Sequence, residues 1–134
     1  MMGLDVGESR IGIALSDPLG QTAQPFETIA RDKDSVETLA RMAADNEVGA
    51  IAAGMPFLMD GTEGKQAGLV REFLEELRLA VDVPISTVDE RLTTKEAESV
   101  LSKGRVKRSE KRKASDRVAA ALILRAYMDG LPGD

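Results

Sequence analysis

The sequence predicts a mixed α/β protein: one five-stranded sheet with an antiparallel N-terminal hairpin region, βαβ crossovers after it, and helices on both faces. Three observations carry this. Short apolar runs crowd the first thirty residues with no helical period between them. Later strand-like runs alternate with apolar stripes at i, i+3, i+4, i+7. The 134 residues, 43% apolar and 31% charged, suit a single soluble domain spanning 1–134.

Each element follows from local chemistry. Met2 to Val6 and Ile11 to Leu15 are apolar runs separated by Gly7-Glu8-Ser9-Arg10, a hairpin pattern. Gln24 to Ile29 is a third strand, and Pro25, which cannot donate to a ladder, places it at an edge. Asp34 or Ser35 caps a helix whose stripe is Val36, Leu39, Ala40 and Ala43. Val48 to Ala53 reads as a buried strand ending at Gly54. The next helix carries Val70, Phe73, Leu74 and Leu77, and Pro84 to Val88 is the fifth strand. Thr93 and Glu96 form a capping box for a helix to about Leu101, which Gly104 ends. A last helix runs from about Lys111 to Asp129 and stops at Gly130, with Pro132 beyond.

Composition removes whole classes of chemistry. There is no cysteine and no histidine. Thiol nucleophiles, disulfides, thiolate zinc sites and Ser-His-Asp triads are excluded, and any metal must be bound by oxygen, which selects hard cations such as Mg²⁺ or Mn²⁺. The longest apolar run near the C-terminus, Val118 to Leu124, is too short to span a membrane. Residues Met1 to Arg10 lack the basic and apolar segments of a signal peptide, so a cytoplasmic protein without membrane contact is expected.

The net charge of −5 hides an asymmetry. Lys103 to Lys113 holds seven basic residues against Glu110, net +6; the other 11 basic and 22 acidic residues leave −11. A basic stripe on an acidic body suits a phosphate backbone, and equally a solvated surface.

Three carboxylates stand where a fold would not choose them. Asp5 lies inside the first strand; Leu4 and Val6 share one face, while Asp5 shares the other with Gly3 and Gly7. Asp-x-Gly is also an Asx-turn pattern. Asp89 and Glu90 follow the fifth strand, and alternation allows only one of them to face Asp5. A strand-end ion pair with Arg91 is the alternative. Asp116 opens the apolar part of the last helix, with Ala119, Ala120 and Ile123 on its face; the helix dipole alone also favours an acid there. Three carboxylates around one pocket suit two divalent cations about 3.5–4 Å apart. Gly54-Met55-Pro56 and Asp60-Gly61-Thr62-Glu63-Gly64 form a glycine-rich strand-to-helix turn, a weak phosphate-cradle pattern without the Walker ending.

In these segments the sequence resembles the YqgF family, also called RuvX, of RNase H-like Holliday junction resolvases and pre-ribosomal RNA nucleases. The matching stretches are Leu4-Asp5-Val6-Gly7 through Ala14 and Ser16-Asp17, Gly54-Met55-Pro56 with Met59-Asp60-Gly61-Thr62-Glu63-Gly64, Asp89-Glu90-Arg91-Leu92-Thr93-Thr94, and Asp116 through Leu124. They occur in order and cover nearly the whole chain.

The resemblance implies an RNase H-like fold and a metal-dependent phosphodiester hydrolase. Asp5, Glu90 and Asp116 would be the catalytic metal ligands for a two-metal Mg²⁺ or Mn²⁺ site, with Asp89 outside it. Arg10, Arg91, Thr94, Lys107, Arg108, Lys111, Arg112 and Lys113 would contact substrate. The implied reaction is processing of the 5′ end of precursor 16S rRNA. The alternatives are cleavage of four-way DNA junctions, for which symmetric cutting requires a homodimer, and a non-catalytic nucleic-acid-binding module. The Asp5-Val6-Gly7 hairpin also resembles the opening of sugar kinases and actin-like ATPases, but those need a second lobe that 134 residues do not provide.

Overall fold

The computed structural model describes residues 1–58, 60–90 and 108–130. Five strands, β1 (Met2–Val6), β2 (Arg10–Ser16), β3 (Ala23–Ala30), β4 (Ile51–Met55) and β5 (Ile85–Asp89), form one sheet in the order β3-β2-β1-β4-β5. The first three are antiparallel neighbours, while β1, β4 and β5 run parallel. Helices α1 (Ser35–Asp45), α2 (Lys65–Ala80) and α3 (Arg108–Asp129) complete the described elements. The helix expected from Thr93 to Leu101 lies outside the described residues.

Period-two alternation sorts the sheet's faces. Met2, Leu4, Val6, Ile11, Ile13, Ile51, Ala53 and Met55 join Leu39, Ala43, Val70, Phe73, Leu74 and Leu77 of α1 and α2 in the larger core. The opposite face is built from small side chains. Ala14 and Ala52 pack with Ala120, Ala121 and Leu124 of α3, and Val88 lies against them. Helices therefore cover both faces, as alternation demands.

Glycines set how closely α3 approaches. A Cβ on Gly12 would stand 2.0 Å from the Asp116 carbonyl oxygen, and one on Gly3 would stand 2.5 Å from that of Ala120. A Cβ on Gly54 would meet Ile123 at 2.5 Å and the Glu90 side chain at 2.6 Å. This corrects one boundary: Gly54 does not end β4 but lies inside it, because the helix and Glu90 occupy the space its side chain would need.

Two further details differ from the sequence reading. Asp34 holds the N-cap position of α1, yet neither it nor Ser35 makes a side-chain cap bond. The Ser35 hydroxyl turns inward instead, donating to the Ala30 carbonyl (3.0 Å) and accepting from the Asp32 N–H (2.7 Å). α3 begins at Arg108, three residues before the expected Lys111. Pro25 does lie on the edge strand, where the β2–β3 register slips between Ile13 and Ala14 and leaves Phe26 as the extra residue.

Candidate active site

The carboxyl ends of β1, β4 and β5 lie side by side because those strands are parallel. In an open α/β sheet this is where ligands bind. Asp5, in β1, pairs with Gly12 of β2 and faces α3. Met55 pairs with Asp89, so the chain leaving β5 delivers Glu90 beside Gly54 on that same face. Val88 packs under α3, and alternation then directs Glu90 rather than Asp89 toward Asp5.

Asp5 and Glu90 hydrogen-bond to each other. Two carboxyl groups can do so only if they share a proton. Burial, the hydrogen bond to Asp5 and the charges of Asp5 and Asp89 push Glu90 up to about 9, so Glu90 carries that proton at neutral pH. Burial also raises Asp5; the Glu90 hydrogen bond opposes this, and the nearby Asp116 charge adds to it.

Asp116 lies in α3, 20% exposed, and accepts a 2.7 Å hydrogen bond from Arg10 Nε. The close packing at Gly12 brings its helix within reach. Just past this same end of β1, Arg31 donates to the carbonyls of Gly7 (2.9 Å) and Leu69 (3.3 Å), with its guanidinium 5.2 Å from the centre of the Phe73 ring. This clamp fixes the turn that follows Asp5. It was not legible beforehand, since nothing marks Arg31 apart from other strand-end arginines.

The structure thus gathers Asp5, Glu90, Asp116 and Arg10. Arg91, Thr94 and Lys107 lie outside the described residues. Arg108, Lys111, Arg112 and Lys113 fall on the first turns of α3. There the Lys113 carbonyl accepts from the Thr28 hydroxyl (2.7 Å), tying the helix to the edge strand. In the glycine-rich turn, the Asp60 carboxylate accepts from both the N–H and the hydroxyl of Thr62, and Gln66 reaches Glu8 of the β1–β2 turn at 3.0 Å.

The donor chemistry fits a hard divalent cation: oxygen ligands only, partly buried, with mutual repulsion that a cation would relieve. As it stands, no group of three acidic side chains among the described residues is arranged to hold an ion. Asp116 is engaged by Arg10, and Glu90 by a proton.

An antiparallel three-stranded lead-in with two parallel strands beyond it is the RNase H-like arrangement. Solved structures share the fold. Thermus thermophilus RuvC in complex with a Holliday junction substrate aligns with a TM-score of 0.58 at 17% identity, covering 95% of this chain and 94% of that one. The fowlpox virus Holliday junction resolvase aligns at 0.55 and 12% identity, covering 97% and 98%. Residues 1–130 match the model of the RuvX family, described as Holliday junction resolvase, and the chain belongs to that family. Its relatives include proteins named "Putative pre-16S rRNA nuclease". That of Desulforamulus reducens is 46% identical, with 96% of each chain covered. That of Syntrophus aciditrophicus is 43% identical, covering 98% of this chain and 89% of the relative.

Proposed function

We propose that this nuclease is a divalent-metal-dependent phosphodiesterase that trims the 5′ end of precursor 16S rRNA, with Asp5, Glu90 and Asp116 holding Mg²⁺ or Mn²⁺. The observation that carries the reading is the gathering of three acids on one face at the strand ends: Asp5 opposite Gly12, Glu90 against Gly54, and Asp116 on the helix that packs on Gly12. A fold gains nothing from gathering three acids, whereas a cation site requires it. The RNA substrate follows the names of the full-length relatives.

When bound, divalent ions supply a water acidified toward neutral pH and neutralise charge on the leaving oxygen. The chain's own residues do the rest. Asp5, central in the sheet, would hold the ions at a fixed point between β2 and β4. Glu90 would give up its proton to become a ligand, and Asp116 would complete the set from the helix. Arg10 and the basic residues of α3 would grip phosphates on either side of the scissile bond. With no histidine in the chain, proton transfer falls to water, substrate phosphate or Lys113.

A second reading, cleavage of four-way DNA, is favoured by the description of the family and by the fold shared with junction resolvases. One experiment tests both: a cleavage panel of precursor rRNA 5′-end fragments and four-way junctions with Mn²⁺, against Asp5→Asn. Cleavage of RNA alone supports the first reading, and cleavage of junctions alone the second. Cleavage by Asp5→Asn at the wild-type rate overturns the assigned site.

A further inference from the structure

Arg10 opens β2 on the face that carries Gly12 and Ala14, toward α3. Its backbone closes the β1–β2 turn, where the Gly7 N–H donates to its carbonyl at 2.8 Å. Its side chain joins residues 106 positions apart, through Nε to one Asp116 oxygen. A guanidinium has five donors in a planar fork. Asp116 is the one side chain Arg10 bonds among the described residues, through Nε alone, and the Arg10 side chain is 36% exposed.

A carboxylate oxygen held by arginine is not offered to a cation, and a guanidinium beside the cluster repels an incoming ion. The contact is also weak enough to exchange: an ion pair open to solvent on both partners is screened and loosely held.

We propose that Arg10 is a counter-ion latch. In the metal-free protein it occupies the place on Asp116 that a divalent cation takes. On loading it releases Asp116 and turns its fork to a substrate phosphate, where two parallel hydrogen bonds become available. The proposal rests on the trio being the metal site. It makes Arg10 a competitor of metal and a partner of substrate, two roles with opposite signs in binding measurements.

The test is calorimetric titration of Mn²⁺ into the full chain without nucleic acid, for wild type, Arg10→Gln, Arg10→Lys and Asp5→Asn. Arg10→Gln should bind Mn²⁺ about two- to fivefold more tightly than wild type, the range expected when a partly exposed ion pair stops competing. Arg10→Lys, which keeps the charge but not the fork, should fall between them. At saturating Mn²⁺, Arg10→Gln should raise KM for nucleic acid more than it lowers kcat. A role in packing alone would leave Mn²⁺ binding unchanged or weaken it, and a repulsive charge alone would leave Arg10→Lys, which keeps the charge, binding Mn²⁺ as wild type does. Unchanged or weaker Mn²⁺ binding by Arg10→Gln therefore overturns the latch. Should Arg10→Gln not fold, Arg10→Lys decides: tighter Mn²⁺ supports the latch, and unchanged or weaker binding overturns it. If Asp5→Asn binds Mn²⁺ as wild type does, the metal-site reading itself fails and the latch with it.

Discussion

Replacing Glu90 by glutamine separates the charge of the carboxyl cluster from its shape. Glutamine keeps a donor for Asp5 and loses the titration. In the metal-free fold Glu90 keeps its proton up to about 9, while its ordinary value is 4.5. Between these values the unfolded chain ionises and the folded one does not. Stability present below 4.5 is therefore lost as pH rises toward 9. Each pH unit in that window is worth about 1.4 kcal/mol, for a ceiling of roughly 5 kcal/mol by about pH 8. The cluster opens to water beside Arg10, and relaxation there reduces this to about 2–3 kcal/mol. Glu90→Gln should escape the loss. At this chain length that is roughly 6–10 °C in Tm at about pH 8, and little difference at about pH 5. Thermal melts in EDTA at both pH values measure it. Added Mg²⁺ should raise the wild-type Tm more than that of the variant, because only the carboxylate becomes a ligand. Equal melting of the two proteins at the higher pH would show that Glu90 is already ionised, and would refute the shared proton.

Other perturbations probe the surroundings. Asp5→Asn should abolish cleavage, keep nucleic-acid binding in EDTA, and raise metal-free Tm; a clear fall in Tm would point to a structural turn role instead. Gly12→Ala places a methyl group 2.0 Å from the Asp116 carbonyl oxygen. The helix must shift, so a loss of at least about 1–3 kcal/mol in urea denaturation is expected, together with lost activity. Thr28→Val removes the hydroxyl that donates to the Lys113 carbonyl, for about 1 kcal/mol and a modest fall in Tm. Replacing Lys107 and Arg108 together by alanine should weaken binding alike across sequences and reduce the log–log salt slope by about 2; an unchanged slope would leave the stripe a solvated surface.

Much of this site was legible because a strand has a strict period. The choice of Glu90 over Asp89 follows from alternation, and the observed pairing of Met55 with Asp89 carries it through to three dimensions. The hairpin, the edge position of β3 and the stripe of α2 are equally local in origin. What was not legible depends on contacts between distant segments. Gly54 reads as a strand end, since nothing in the sequence says that Ile123 and Glu90 fill the space over it. Ser35 reads as a cap, but its hydroxyl finds the Ala30 carbonyl instead. Arg10 reads as a phosphate contact, and its bond to Asp116 depends on how α3 crosses the sheet.

The crossing of α3 has a consequence in time. Every described strand precedes this helix in the chain, so on the ribosome Asp5 and Glu90 emerge before Asp116. Until α3 docks, the glycine and alanine face of the sheet lies bare to water, and one wall of the carboxylate pocket is missing. Docking of α3 thus buries that face and brings Asp116 to the other two acids. On the proposed reading, a nascent chain cannot cleave before α3 docks, because Asp116 is the acid that this helix brings.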